Sequence, residues 1–465
     1  MKPTEQGNKI HFTILGCARN LVDSEVMMGI LLKAGYEVVD QQKEADYLVV
    51  NTCGFLASSR KESSDTIEAL SKEKKKGAKL IVTGCMVQKH KSELKKRFSD
   101  IHYFLGSGDV EKILEAIEAP KSGEAVTQAK SYLQLGEVPR TLSTPKHYAY
   151  LKIAEGCAKQ CAFCIIPKIK GVLKSKPVDQ VLREFKALLA SGAFEVILIA
   201  QDLGDFGKET KDKLSLEDLL KQMSLVEEPF WLRLLYLYPD EITDELINVL
   251  AKEPRICRYL DMPIQHINND ILKSMKRKTS KEAIISTLQK LRARLPNIVI
   301  RTSLMVGFPG ETKEQFEELL DFVKEYKLDN IGIFKYSKED ESASASYPDH
   351  ISEEVKEARF EKLAKAQLSV VRKKSRKWIG KTIPVLVEGY HPDSPFLLRG
   401  RYYGQCPEID GEVIINDGRQ VDEFGQIYHV KITEASDYDL IGKVVAKGTS
   451  KVKPKTKNPL SVVTV

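Results

Sequence analysis

No stretch of eighteen or more consecutive apolar residues occurs in the 465-residue chain, so no helical membrane span is expected. The opening Met1-Lys-Pro-Thr-Glu-Gln6 has no apolar segment behind a basic one, which argues against a secretory signal. A cytoplasmic protein is the expectation. No internal repeat is visible. Neither sign of charge dominates: the net charge is +7, which permits an RNA or ribosome partner without demanding one. The lysine-rich runs 72–76, 89–97, 372–377 and 451–457 read as solvated helix faces and a basic tail. Disulfides are disfavoured in a reducing compartment, so the eight cysteines point instead to metal or catalysis.

What is present suits a soluble chain of two to four domains, with 42% hydrophobic and 29% charged residues. Residues 8–120 alternate strand and helix. His11–Leu15, Tyr47–Val50 and Leu80–Thr83 read as strands, and a helix is expected over Asp23–Ala34 with Asp23 or Ser24 as its cap. This is the grammar of a parallel α/β sheet. Residues 121–146 lose the pattern and read as a linker or edge segment. From 147 to 375 a second alternating region supplies six βα units, two short of a closed eight-unit barrel, so a partial (β/α)6 barrel is predicted. Over 376–447 short strands separated by turns predict a small all-β barrel. Residues 448–465 read as a disordered basic tail.

Cys157, Cys161 and Cys164 are spaced Cys-x3-Cys-x2-Cys on one loop. Three thiolates so close can converge on one metal centre. No fourth cysteine or histidine follows at the spacing a zinc site needs. Three ligands would instead leave one iron of a four-iron cluster open to bind a substrate. This spacing after a barrel's first strand resembles the radical S-adenosylmethionine (SAM) superfamily, whose open iron chelates SAM. Cys17, Cys53 and Cys85 are scattered in sequence, but each follows a predicted strand and adjoins a glycine. Strand ends in a parallel sheet share one edge, so these three are expected to meet and to hold a second cluster. Cys257 and Cys406 are left over and read as small buried apolar residues.

Two three-cysteine sites followed by a small β-barrel resemble the methylthiotransferases over residues 10 to 447. That family has an N-terminal methylthiotransferase domain, a central radical SAM domain and a C-terminal TRAM barrel. Gly16-Cys17-Ala-Arg-Asn20, Leu198-Ile-Ala-Gln201-Asp202, Leu235–Pro239, Tyr259–His266, Gly307–Glu311, Gly400-Arg401 and Pro407–Gly411 resemble the RimO-type branch. The tRNA-modifying MiaB-type branch usually differs in the first two. Two segments depart from the family's usual pattern: Ala18-Arg19 stands in place of Pro-Lys, and Lys338–Ser346 stands in place of Gly-Thr-Pro-Ala.

The resemblance implies two 4Fe–4S clusters, SAM as radical source and methyl donor, and β-methylthiolation of an aspartate in small-subunit ribosomal protein S-twelve. It also implies an external electron donor and sulfur source. The competing readings are a tRNA adenosine methylthiotransferase and a non-catalytic RNA- or ribosome-binding metalloprotein. Strand-end residues in a barrel read as site residues. Phe163, Gln201, Asp202, Arg301, Gly307, Gly310 and Glu311 are therefore candidates for SAM or substrate contact. Asp261, Gln265 and His266 also lie just past a strand, where a lone histidine is more often structural. In the terminal barrel, Arg399 and Arg401 are candidates for contact with the macromolecular guest.

Overall fold

A computed structural model of the protein describes residues 7–127, 131–448 and 462–464. The first unit is a six-stranded, all-parallel sheet. In space its strands run Glu37–Val38, Lys9–Ile14, Tyr47–Thr52, Lys79–Gly84, Ile101–Gly106, Gly123–Ala125. Tyr47–Thr52 is buried at every position, as a strand covered on both faces must be.

The second unit is also all parallel. Tyr148–Lys152, Glu195–Ile199, Trp231–Leu234, Ile256–Asp261, Val299–Val306 and Asn330–Lys335 lie side by side in chain order and do not close. The predicted partial six-strand barrel is therefore what forms. Its two faces follow the period of a strand. Ala149, Leu151, Val196, Leu198 and Leu260 enter the core beneath the helices. Tyr148, Tyr150, Ile197, Ile199, Cys257, Tyr259 and Val299 share a core with the third unit instead.

That third unit is a closed five-stranded barrel of Thr382–His391, Ser394–Arg401, Val413–Asp417, Leu440–Lys447 and Gln426–Ala435. It is reached through the 23-residue helix Glu353–Ser375. It packs against the amino-terminal half of the inner face of the partial barrel. Glu195, fully buried, takes Arg233 from a neighbouring strand and Arg401 from the small barrel, at 2.5 and 2.7 Å. Tyr259 donates to Asp410 at 2.8 Å and Tyr148 to Glu408 at 3.1 Å. The opposite mouth, where the strands end, stays available for the site.

The segment 121–146 does more than link. Pro139–Thr141 is a short strand lying against the first helix, Ala18–Lys33, and Val462–Thr464 pairs antiparallel with it. Residues 449–461 and 465 of the predicted basic tail lie outside the described residues. Within 139–143, Arg140 donates to Glu25 of the first helix, to Glu184 and to the carbonyl of Tyr150.

The first helix also corrects the sequence reading. It begins at Ala18, with Cys17 in the cap position and no side-chain cap. Asp23, Ser24 and Glu25 are buried within it. Residue types that cap helices serve equally as buried partners for cations. Asp23 meets Lys152 and Lys170, which Glu155 also binds.

Candidate active site: two thiol triads

Cys53 follows the strand Tyr47–Thr52 directly, Cys85 opens the helix after Lys79–Gly84, and Cys17 follows Lys9–Ile14 by three residues. Neighbouring parallel strands bring the three to one edge. Gly16, at φ +91°, makes this possible, because a Cβ there would lie 2.9 Å from Cys53 Cβ. Asn20 ties the group together. Its amide donates to the carbonyls of Leu15 and Thr52, and its Oδ1 lies 3.8 Å from Cys85 Sγ. Ser63 Oγ holds both the N–H and the carbonyl of Cys53.

Burial pushes the Cys85 thiol up to about 12, and the charges of Cys17 and Cys53 add to this. Burial also raises Cys17, but Arg19, the backbone N–H groups of Asn20 and Arg19, and Lys170 outweigh it and hold that thiol below its usual range. The unsatisfied N–H groups of a helix's first turn favour such a thiolate.

The second triad lies on the loop leaving the strand Tyr148–Lys152. Gly156, at φ +79°, lets the loop pass the Val172 carbonyl, which a Cβ would meet at 2.1 Å. The N–H of Lys159 points to Cys157 Sγ and that of Ile166 to Cys164 Sγ, both at 3.4 Å, and Tyr238 Oη lies 3.1 Å from Cys161 Sγ. Burial and the neighbouring thiols push Cys157 to about 11 and Cys164 to about 12.

Arg19 stands between the triads. It acts electrostatically on Cys17, Cys85 and Cys164, donates to the Ala200 carbonyl at 2.8 Å, and lies 5.0 Å from the Tyr236 ring.

Thiols bound to one zinc ion at about 2.3 Å would lie roughly 3.8 Å apart. Among the described residues, the only three His, Cys, Asp or Glu ligand atoms within 4.8 Å of one another belong to Asp202, Asp205 and Glu241. Neither cysteine triad has all three thiols within that distance, and three thiolate donors suit an iron–sulfur cluster. The acidic trio already holds a cation of the chain, since Lys159 pairs with all three.

The other candidates separate. Gln201, at the end of Glu195–Ile199, has both amide atoms buried without a partner, which fits a ligand contact. Asp202 is tied up by Gly204, Tyr238 and Lys159, and burial lifts its carboxyl to about 6. Phe163 packs beside Ala162, Met275, Phe308 and Tyr336. Arg301 pairs with Asp261 at 2.9 Å and reaches Asp410 of the small barrel at 3.9 Å. Glu311 closes its own loop through the N–H groups of Gly307 and Phe308 and pairs with Arg359; Gly307 and Gly310 supply φ of +74° and +79°. His266 is buried and held neutral, its value driven to about 3 by burial, and Gln265 adopts φ +70°. Arg401 is buried against Glu195 and Glu388, so it docks the barrel and is not displayed to a guest. Cys257 and Cys406 are buried apolar residues, as expected.

Tyr238, Arg277 and Lys170 surround the triads and were not read from the sequence as site residues. Tyr238 stood in a recognised segment. Nothing in Met275-Lys-Arg277 signals its neighbour.

Residues 9–106 match the "Uncharacterized protein family UPF0004", 151–323 the "Radical SAM superfamily" and 379–445 the "TRAM domain". The ribosomal protein uS12 methylthiotransferase RimO of Protochlamydia amoebophila is 61% identical over 95% of this chain and 93% of its own length. The RimO of Bdellovibrio bacteriovorus is 44% identical over 96% and 99%. The chain belongs to the RimO family. Among solved structures, the radical SAM methyltransferase TsrM of Kitasatospora setae, with cobalamin and a [4Fe-4S] cluster bound, aligns with TM-score 0.50 and 15% identity. The alignment covers 71% of this chain and 75% of that one, a likeness of fold alone. Within the RimO family fold, both thiol triads of this chain sit at the carboxyl ends of parallel strands.

Proposed function

We propose that this protein is a cytoplasmic methylthiotransferase that places a methylthio group on the β-carbon of an aspartate of ribosomal protein uS12. The observation that carries the reading is the pairing of two thiol triads across Arg19 in a chain 44–61% identical to RimO proteins over nearly its whole length. An unactivated Cβ–H yields to no ordinary base, and two 4Fe–4S clusters with SAM supply the radical, sulfur and methyl chemistry required when bound.

Cys157, Cys161 and Cys164 hold the cluster that engages SAM. Cys17, Cys53 and Cys85 hold the one that manages sulfur. The Gln201 amide contacts SAM or the target at the mouth. Lys159 pins the central cluster loop to Asp202, Asp205 and Glu241, so the ligands are set before cofactor and substrate arrive. Electrons and sulfur come from outside the chain. Among the described residues no helix is long and apolar enough to cross a membrane.

The barrel exposes Phe396 and Tyr390, which line one groove with Phe424 and Arg419, a surface suited to the ribosomal target or its RNA. Intact-mass measurement of uS12 from cells with and without this protein tests the reading. The methylthio mass on uS12 is expected to vanish in the deletion. Loss of a tRNA thiomethyl group with an unchanged uS12 mass would overturn it.

A further inference from the structure

Arg277 is 7% exposed and forms no ion pair with a carboxylate among the described residues. The other deeply buried arginines all have one: Arg140 with Glu25, Arg233 with Glu195, Arg401 with Glu388. A buried guanidinium without an anion is costly, so a compensating negative charge belongs beside it. The contacts show where. Nη1 lies 3.9 Å from Cys161 Sγ, Nη2 donates to the Pro263 carbonyl, and Nε has no partner. The guanidinium carbon stands 3.9 Å from the centroid of the Tyr238 ring, whose hydroxyl lies 3.1 Å from the same sulfur. Of the acids lining the same cavity as Arg277, Asp205 and Glu241 pair with Lys159 and Lys208, and Asp240 is exposed to solvent and forms no ion pair with Arg277.

We propose that Arg277, assisted by the Tyr238 hydroxyl, tunes the centre held by Cys157, Cys161 and Cys164 by raising its reduction potential through Cys161. The inference rests on the reading of that triad as a cluster site. A cluster on three thiolates is anionic, and each added electron makes it more so. A fixed cation and a hydrogen-bond donor at one ligand sulfur stabilise the reduced form more than the oxidised form. Burial keeps Arg277 from being screened, whereas its neighbours Lys276 and Lys278 are exposed to solvent.

The test is a redox titration followed by electron paramagnetic resonance, on reconstituted wild-type protein and the variants R277M, R277K, Y238F and K276A. R277M is expected to lower the reduction equilibrium constant about tenfold, a shift of about 59 mV to more negative potential for a one-electron couple. R277K and Y238F are expected to shift in the same direction by less, and K276A to stay at the wild-type value. A role confined to holding the loop would lower iron content or thermal stability and leave the potential in place. An unchanged potential in R277M with full iron content would overturn the proposal, as would an equal shift in K276A. Should R277M fail to retain iron, wild-type potentials in both R277K and Y238F overturn it. The site reading fails separately, if C157A binds as much iron as wild type.

Discussion

Cys17, Cys53, Cys85 and Cys157 each stand beside a glycine or a strand end, and Cys161 and Cys164 follow Cys157 on the same short loop. Removing one ligand should empty one site and leave the other. Cys157→Ala is expected to lower iron from about eight to about four per chain and to abolish SAM cleavage. Cys53→Ala is expected to lose the same amount of iron, retain SAM cleavage and stop sulfur insertion. Iron analysis and 5′-deoxyadenosine assays check both, and equal loss of cleavage in the two variants would refute the division of labour. Glu388 shows a second effect of single residues. Burial raises its carboxyl, but Arg401 and the His147 hydrogen bond outweigh this and hold it near a value of about 2. Its folded value lies below its unfolded one, so its contribution is present above the unfolded value and is lost as pH falls toward 2. The shift corresponds to about 3 kcal/mol at neutral pH. Wild type should melt well above Glu388→Gln at pH 6, and the gap should close as the pH is lowered toward 3.

At the scale of elements, the strands of the central sheet were legible because buried parallel strands read as apolar runs between helices. The strand Ser394–Arg401 of the small barrel was not, since Ser394, Pro395 and Gly400 resemble turn chemistry and its ladder partners lie on either side in sequence. The start of the first helix was misread because Asp23 and Ser24 are favoured as caps, and only tertiary structure reveals Lys152 and Lys170 waiting for Asp23. Cys17, Cys53 and Cys85 were legible from strand ends and adjoining glycines, and Cys157, Cys161 and Cys164 from their spacing. The cations that surround them were not, because Arg19, Lys170 and Arg277 carry no periodic or spacing signal. Gly29 illustrates what sequence conceals. A Cβ there would lie 2.6 Å from the backbone of Pro139 and Arg140. Helix propensity alone favours Gly29→Ala by about 1 kcal/mol. Overpacking against rigid backbone costs about 1–3 kcal/mol. A lower melting temperature is expected, and a rise would show that the segment 139–141 can move away.

Across the whole molecule, one buried charge network spans the two thiol-bearing units. Asp23 belongs to the first, Lys152, Glu155 and Lys170 to the second, and Lys170 also acts on Cys17 and Cys85. The network sets how the triads face each other, so its loss should uncouple them before it stops either. Lys170→Met is expected to destabilise the fold by about 3–5 kcal/mol. In the folded fraction it should raise the ratio of 5′-deoxyadenosine released to uS12 modified. An unchanged ratio would assign Lys170 to stability alone. The same network has a consequence for synthesis. Asp23 is made 129 residues before Lys152 and 147 before Lys170. At about 5–20 residues per second, the nascent amino-terminal unit waits roughly 7–30 s for its second lysine. During that interval its sheet can form, but its buried carboxylate stays hydrated and its thiol edge lies open. Translation order thus leaves Cys17 and Cys85 without the charge of Lys170 until the second unit is made.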